Sequence, residues 1–227
     1  MLTVGGLCAG YGAIQVLWDV SLRVGAGEVV CLVGRNGVGK STLLNTLGGL
    51  ADRKSGAVAL DGASIADLHT SQLLRHRIGF VPQHREICPD LTVEENLLVP
   101  IFAMGMDKVG LASIYDRFQR LKERRHQTAG SLSGGERKLL AFARIMLCSP
   151  TLYLIDEPTE GLMPSAVTEI AALIAGFRDE GAGVLLVEQN LQVIKAVADR
   201  IYLMNAGRVQ GELDGFDHDA VVRCLGV

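Results

Sequence analysis

The stretch GRNGVGKST, residues 34–42, constrains the fold of this chain more than any other part of its sequence. It follows VVCLV at 29–33, a continuous apolar run that is typical of a strand buried on both faces of a sheet. It leads into residues 41–50, where leucines recur at the spacing of one helical face. A glycine-rich loop between a buried strand and a helix is the setting in which this motif holds phosphate. A purely structural glycine-rich turn is the alternative.

The physical chemistry of this phosphate loop predicts a site for a polyphosphate and Mg²⁺. Glycines let the backbone curl so that successive N–H groups point inward, and the following helix adds the positive end of its dipole. Lys40 would place its charge at the β- and γ-phosphates, and the Ser41 hydroxyl would bind Mg²⁺. The predicted nucleotide-binding residues are Gly34, Arg35, Asn36, Gly37, Val38, Gly39, Lys40, Ser41 and Thr42.

A second apolar run ends in two carboxylates. The stretch LYLIDEP, 152–158, is typical of a buried strand that brings Asp156 and Glu157 to its C-terminal end, where ligands bind in open α/β sheets. Asp156 is predicted to hold Mg²⁺, and Glu157 is predicted to act as general base toward the attacking water. Two acids after a strand are a weak signal alone, but a phosphate loop in the same chain strengthens it.

A third motif, SLSGGERKLLAFARIML at 131–147, places Ser133, Gly134 and Gly135 at the start of an amphipathic helix. Such a helix start offers free N–H groups and is a candidate for a second anion site. A serine-capped helix without a ligand is the alternative, because the phosphate loop already serves one triphosphate.

Taken in order, the motifs resemble those of the ATP-binding subunits of ATP-binding cassette (ABC) transporters, and the resemblance covers nearly the whole chain. They are Tyr11, the phosphate loop, Pro82–Gln83, LSGGE at 132–136, LYLIDE at 152–157 and VEQN at 187–190. The resemblance implies that two such subunits stack head to tail, so that residues 133–135 of one close over the γ-phosphate bound by the other. It also implies that Tyr11 stacks on adenine and that Gln83 contacts Mg²⁺ or water and senses a membrane partner.

Two positions depart from the family pattern. Gln189 stands where the family usually has a catalytic switch histidine; an amide keeps the hydrogen bond to γ-phosphate but cannot carry a proton. Met163 stands where the loop after the catalytic glutamate usually has aspartate. The stretches LLVEQN and GLMPS resemble the subunits of branched-chain amino-acid importers and of their urea or short-chain amide relatives.

The resemblance therefore implies an ATPase that energises a membrane transporter. Its expected partners are a second ATP-binding subunit, identical or paralogous, integral membrane permease subunits and, indirectly, a solute-binding protein. Its expected location is cytoplasmic, peripheral on the inner face of the cell membrane. Two alternatives remain: a soluble ABC ATPase of translation or DNA repair, and a nucleotide-sensing subunit of low activity in a heterodimeric pair.

The amino-acid composition further limits which kinds of protein this chain can be. The chain has 227 residues, 48% of them hydrophobic, which is enough for a sizeable core. Its net charge of −3 argues against a nucleic-acid partner. The five cysteines are scattered without a C-x-x-C pair, as in proteins of reducing compartments. The histidines show no ligand spacing, so no structural metal is expected.

Alternating strand-like and helix-like patterns predict an α/β fold. The predicted fold is a P-loop NTPase core with a mainly parallel sheet, an N-terminal antiparallel β subdomain and an inserted helical subdomain. Residues 1–227 are expected to form a single ABC ATP-binding domain, with 84–150 as the helical subdomain. The short turns near the N-terminus predict an antiparallel meander of 2–7, 20–24 and 28–33. The predicted inward stripe of the helix at 165–178 is Val167, Ile170, Ala171, Ile174 and Phe177.

Overall fold

A computed structural model of the protein describes residues 1–84, 86–105 and 110–226. The strands described there are β1 (Leu2–Tyr11), β2 (Ile14–Val24), β3 (Val29–Val33), β4 (Asp52–Leu60), β5 (Ala63–Ser64), β6 (Ile78–Val81), β7 (Leu152–Asp156), β8 (Gly183–Val187), β9 (Arg200–Asn205) and β10 (Arg208–Asp214). The α-helices are α1 (Lys40–Leu47), α2 (Val93–Met104), α3 (Gly110–Arg117), α4 (Gln119–Glu123), α5 (Gly134–Met146), α6 (Pro164–Asp179), α7 (Leu191–Val197) and α8 (His218–Leu225). Short 3₁₀ turns span Thr70–His76 and Ala129–Ser131.

The strands form two sheets. One has the order β2-β1-β4-β5 and is antiparallel. The other has the order β10-β9-β3-β8-β7-β6, in which all neighbours are parallel except β10 and β9. The fold class predicted from the sequence is confirmed by this arrangement.

The predicted N-terminal meander is wrong in its third strand. β1 and β2 pair as expected, but β3 leaves them and lies between β8 and β9 in the parallel sheet. All five residues of β3 are buried, whereas β1 alternates buried and more exposed positions along much of its length. A strand that is apolar on both faces is stable only where layers cover both sides, and the parallel sheet offers that position.

The core fills both sides of the parallel sheet. On one side, α6 packs with the stripe predicted from its sequence: Val167, Ile170, Ala171, Ile174 and Phe177 are all buried. The Phe177 ring stacks on Tyr153 of β7 with a centroid distance of 4.0 Å. On the other side, leucines of α1 meet the inward face of the antiparallel sheet. This packing holds α1, and therefore the end of the loop before it, between the two sheets.

Helices dominate the region between β6 and β7. Thr92 caps α2 and forms a capping box with Glu95. Arg85 and residues 106–109, which belong to the predicted 84–150 subdomain, lie outside the described residues, and its boundaries stay a prediction. Among the described helices, none is both long and apolar enough to cross a membrane.

Strand order determines which loops meet. Because β3, β8 and β7 are parallel neighbours, their C-terminal ends lie side by side at one edge of the sheet. The loops that begin at Gly34, Glu157 and Glu188 therefore face one another there. The strand β6, next to β7, ends at Val81 and brings Gln83 to the same edge.

Candidate functional site

The phosphate loop wraps around its own lysine. Gly37 and Gly39 have φ of +79° and +107°, backbone conformations that favour glycine. Lys40 is buried, and its Nζ donates hydrogen bonds to the carbonyls of Gly34 (2.8 Å) and Arg35 (2.9 Å). The loop thus holds an ammonium group at its centre, where a charge acts with little screening by water.

Beside this ammonium lies a cavity of about 200 Å³. It is lined by Val16, Asn36, Gly37, Gly39, Lys40, Ser41, Thr42, Gln83 and Glu157. All of these except Val16 were predicted as site residues from the sequence. Val16 comes from β2 and supplies an apolar wall; its only sequence signal is its place in the amphipathic strand IQVLWDV.

Ser41 and Asp156 approach each other across the sheet edge. The Ser41 hydroxyl donates a hydrogen bond of 3.2 Å to Oδ1 of Asp156. Burial raises the pKa of Asp156 to about 6, and the Ser41 hydrogen bond opposes that rise. A bound divalent cation would favour the charged carboxylate, so this pair is suited to holding one.

Glu157 is the centre of a polar cluster. Its backbone lies in the left-handed region with φ of +43°, and its N–H donates to the Val187 carbonyl at 2.9 Å. Its carboxylate accepts hydrogen bonds from Gln189 Nε2 (2.6 Å) and Gln83 Nε2 (3.1 Å). Lys40 Nζ lies 3.6 Å from the same carboxylate. The structure therefore brings together the general base, switch residue and lysine predicted from three separate motifs.

Gln189 also connects this cluster to the phosphate loop. Its Nε2 donates a second hydrogen bond, of 2.6 Å, to Oδ1 of Asn36. Gln83 has a second partner as well, Oε2 of Glu160 at 2.7 Å, and Glu160 was not predicted as a site residue. Both amides use their N–H groups as donors to acidic or amide oxygens, a role that needs no proton transfer.

Strand β8 is followed by three polar residues, Glu188, Gln189 and Asn190, and the contacts of Glu188 explain their position. This carboxylate is 3% exposed and accepts hydrogen bonds from the backbone N–H groups of Gln189 (2.7 Å) and Asn190 (3.0 Å). It also accepts one from the Thr159 hydroxyl at 2.7 Å. Glu188 thus fastens the loop that carries Gln189 to the loop that follows Glu157.

We expect Glu188→Ala to lower the free energy of unfolding by about 3 kcal/mol, because the buried Thr159 hydroxyl and two partly buried N–H groups lose their acceptor. Thr159→Val, which removes one of these bonds, should cost about 1–2 kcal/mol. Urea denaturation measures both. The exposed Glu169 of α6 provides the control, and its alanine variant should change stability by less than about 0.5 kcal/mol. Equal stability of Glu188→Ala and wild type would contradict this account.

Ser133, Gly134 and Gly135 lie at the start of α5, as predicted. The Ser133 hydroxyl accepts a hydrogen bond from the Glu136 N–H, and the Glu136 carboxylate accepts one from the Ser133 N–H. Ser133 is exposed, and Gly134 lines a cavity of about 470 Å³ that also borders Gln83 and Glu157. None of these three residues lines the cavity beside Lys40, although Gly134 shares the neighbouring cavity with Gln83 and Glu157.

Tyr11 lies at the end of β1 with 44% of its surface exposed. Its hydroxyl accepts a hydrogen bond of 3.0 Å from Asn45, one turn after Ser41 on α1. The residue is thus held near the helix that follows the phosphate loop, while its stacking on adenine stays a prediction.

Comparison with known proteins decides the family. The family model for the ABC transporter domain matches residues 17–160, well over half of the chain. The chain belongs to the ABC transporter family. The resemblance inferred from the sequence motifs is confirmed.

Similar ABC proteins span most of this chain. It is 42% identical over 211 residues to the high-affinity branched-chain amino acid transport ATP-binding protein BraG of Pseudomonas aeruginosa, covering 92% of this chain and 91% of BraG. It is 36% identical to the probable branched-chain amino acid transport ATP-binding protein LivF of Archaeoglobus fulgidus, covering 92% and 90%. It is 34% identical to the lipopolysaccharide export system ATP-binding protein LptB of Escherichia coli (strain K12), covering 92% and 88%.

Solved structures agree with this assignment. A nucleotide-free ATP-binding cassette from an ABC transporter superposes with a TM-score of 0.85 at 25% identity, covering 100% of this chain and 95% of that one. The ATP-binding cassette MJ0796, in a dimeric post-hydrolysis state bound to ADP and Pi, superposes with a TM-score of 0.80 at 28% identity, covering 96% and 100%. The 227-residue chain is therefore an ABC ATPase with the fold of these two solved structures.

Proposed function

We propose that this ABC ATPase energises the uptake of branched-chain amino acids or of related small polar solutes such as urea and short-chain amides. The observation that carries the proposal is the 42% identity to BraG over nearly the full length of both chains. LptB shares less of its sequence with this chain, and its name describes lipopolysaccharide export. The likeness therefore favours import of a small polar solute over export of a lipid.

In this proposal, the residues around the phosphate loop bind the nucleotide and activate water. Lys40 and the loop N–H groups contact the β- and γ-phosphates. Glu157 accepts a proton from the attacking water, and Gln189 holds that carboxylate in place through the 2.6 Å hydrogen bond. The strained backbone of Glu157 is consistent with this role, since such strain concentrates at functional sites.

Ser41, Asp156 and Gln83 would hold Mg²⁺. They offer hydroxyl, carboxylate and amide oxygens, the hard ligands that this ion prefers. Bound there, Mg²⁺ would neutralise charge on the phosphate oxygens. The hydrogen bond between Ser41 and Asp156 supports the assignment because it brings two of the three oxygen donors to within 3.2 Å.

We propose that a second cassette, identical or paralogous, completes the site with its own residues 133–135. The outward-facing Ser133 and the dimeric state of MJ0796 support this arrangement. One chain alone supplies the phosphate loop and Glu157 but directs its α5 start toward a neighbour.

The dimer proposal predicts a specific defect. We expect Ser133→Arg to leave ATP binding by the monomer within about threefold of wild type and to abolish ATP-dependent dimerisation, because the long side chain occupies the helix start. Light scattering after size-exclusion chromatography with ATP measures this. Ser131→Arg, at an exposed position two residues earlier, is the control and should still dimerise. Formation of Ser133→Arg dimers at the ATP concentrations that dimerise the wild type would refute the proposal that residues 133–135 complete the partner's site.

The permease would dock on the segment that follows Gln83, at residues 86–89. A cavity of about 670 Å³ there is lined by Glu86, Ile87, Cys88, Pro89, Gly130 and Arg137. Its mixed apolar and charged lining suits a short helix of a membrane subunit. Docking at this surface would place the cassette on the cytoplasmic face of the membrane, with a solute-binding protein acting indirectly through the permease.

Reconstitution tests the proposed function. The cassette is combined in proteoliposomes with its permease subunits and solute-binding protein, and ATP-dependent uptake of labelled leucine, isoleucine, valine, urea and acetamide is measured. Uptake of at least one of these solutes is expected. ATP hydrolysis without uptake of any of them would refute the proposed solute class.

Gln189 favours a second candidate, a nucleotide-sensing subunit of low activity in a heterodimeric pair. An amide cannot carry the proton that histidine can, so in this second candidate turnover depends on a paralogous cassette. ATPase rates of the purified chain, alone and mixed with that paralogue, separate the two candidates. Substantial turnover by the chain alone would reject the second.

A further inference from the structure

A buried lysine on α5 contacts the loop that carries Gln83. Lys138 is 7% exposed, and its Nζ donates a hydrogen bond of 3.0 Å to the Gln83 carbonyl. The same Nζ forms a 3.3 Å ion pair with Oε1 of Glu86. Lysine is rarely buried to this extent unless it is paired, so these two contacts explain its position.

Glu86 and Cys88, which follow Gln83 in the described part of this loop, are also held by side chains. Arg144, further along α5, donates a hydrogen bond of 2.7 Å to the Glu86 carbonyl. Asn96 of α2 is fully buried and bonds both the N–H and the carbonyl of Cys88, at 2.8 and 2.9 Å. The position of the loop therefore depends on polar contacts with α5 and α2, and Lys138 supplies the contact at Gln83 itself.

We infer that Lys138 is a positioning residue for Gln83. By fixing the Gln83 main chain, it sets where the side-chain amide stands relative to Glu157. Lys138 lies five residues after Ser133 on the same helix, so a movement of the α5 start on a partner's nucleotide would reach Gln83 through this ammonium. The inference rests on the proposed function, because it assumes that Gln83 acts at the nucleotide and metal site.

The test separates positioning from simple stabilisation. Lys138→Met leaves the Glu86 carboxylate without its cation and should lower the melting temperature by roughly 6–10 °C. Lys138→Met/Glu86→Gln removes both charges and should return the melting temperature to within about 2 °C of wild type. Lys122→Met, which removes an exposed lysine of α4, is the control and should match wild type throughout.

If Lys138 positions Gln83, the double variant should remain defective despite its restored stability. We expect kcat to be about tenfold lower and the Mg²⁺ concentration for half-activation about tenfold higher. Hydrogen exchange in peptides that contain Gln83 and Glu86 should be faster. ATP affinity, measured with a fluorescent analogue, should stay within about threefold because the phosphate loop is unchanged.

The outcomes distinguish the inference from the proposed function. Wild-type kcat, Mg²⁺ dependence and hydrogen exchange in the double variant would show that Lys138 is only structural and would overturn the inference. Failure of the wild-type chain to bind or hydrolyse ATP would instead overturn the proposed function, while the exchange measurement would still test the contact between Lys138 and Gln83.

Discussion

Lys40→Ala is expected to raise the dissociation constant for ATP at least about 100-fold. In the structure, the ammonium lies at the centre of the phosphate loop and is held by two backbone carbonyls. Alanine would leave those carbonyls facing the phosphates with no cation between them. A hydrogen bond to a charged group contributes roughly 1.5–3 kcal/mol. Loss of two such bonds from Lys40 to the phosphates therefore raises the dissociation constant for ATP by a factor of about 100 or more.

Isothermal titration calorimetry with ATP measures this effect. Lys195 is a matched control, because it is an exposed lysine on α7 and its alanine variant should bind ATP like wild type. Because Lys40 also pairs with Glu157 at 3.6 Å, a melting curve should accompany the titration to show that the variant is folded. Unchanged affinity in a folded Lys40→Ala protein would reject the phosphate-loop assignment.

Glu157→Gln is expected to reduce kcat by about 100- to 1,000-fold while ATP binding is retained. An amide has nearly the same shape and can still accept the hydrogen bond from Gln189, but it cannot take a proton from water. The variant should also accumulate as an ATP-bound dimer, because the reaction that would reopen the dimer is blocked. Single-turnover hydrolysis and size-exclusion chromatography with ATP measure the two effects.

Glu169→Gln on the exposed face of α6 is the control for this experiment, and its kcat should equal that of wild type. Turnover of Glu157→Gln near the wild-type rate would show that another group accepts the proton. Glu160 would then be the first candidate, since its carboxylate binds the same Gln83 amide.

Local requirements of the backbone explain why much of this protein could be predicted from its sequence. A phosphate loop needs glycine at the positive-φ positions Gly37 and Gly39, and a helix start needs a capping residue such as Thr92 or Ser133. A helix that packs on a sheet needs an apolar stripe, as in α6. Each of these requirements is met by residues within a few positions of one another, so spacing in the sequence shows them.

The tertiary structure alone decided which distant residues meet. The continuous apolar pattern of β3 indicates burial on both faces, but only the sheet order shows that this strand leaves β1 and β2 and lies between β8 and β9. The same order joins Gln83, Glu157 and Gln189 in one hydrogen-bonded cluster.

Lys138 and Glu188 are two further residues whose contacts could not be predicted from the sequence. Each is a charged residue whose burial depends in part on a distant partner: Gln83 lies 55 positions from Lys138, and Thr159 lies 29 positions from Glu188. The sequence by itself determined the backbone chemistry of each loop. The packing of the sheet and its helices decided which side chains those loops bring together, because contact across strands depends on topology and not on spacing along the chain.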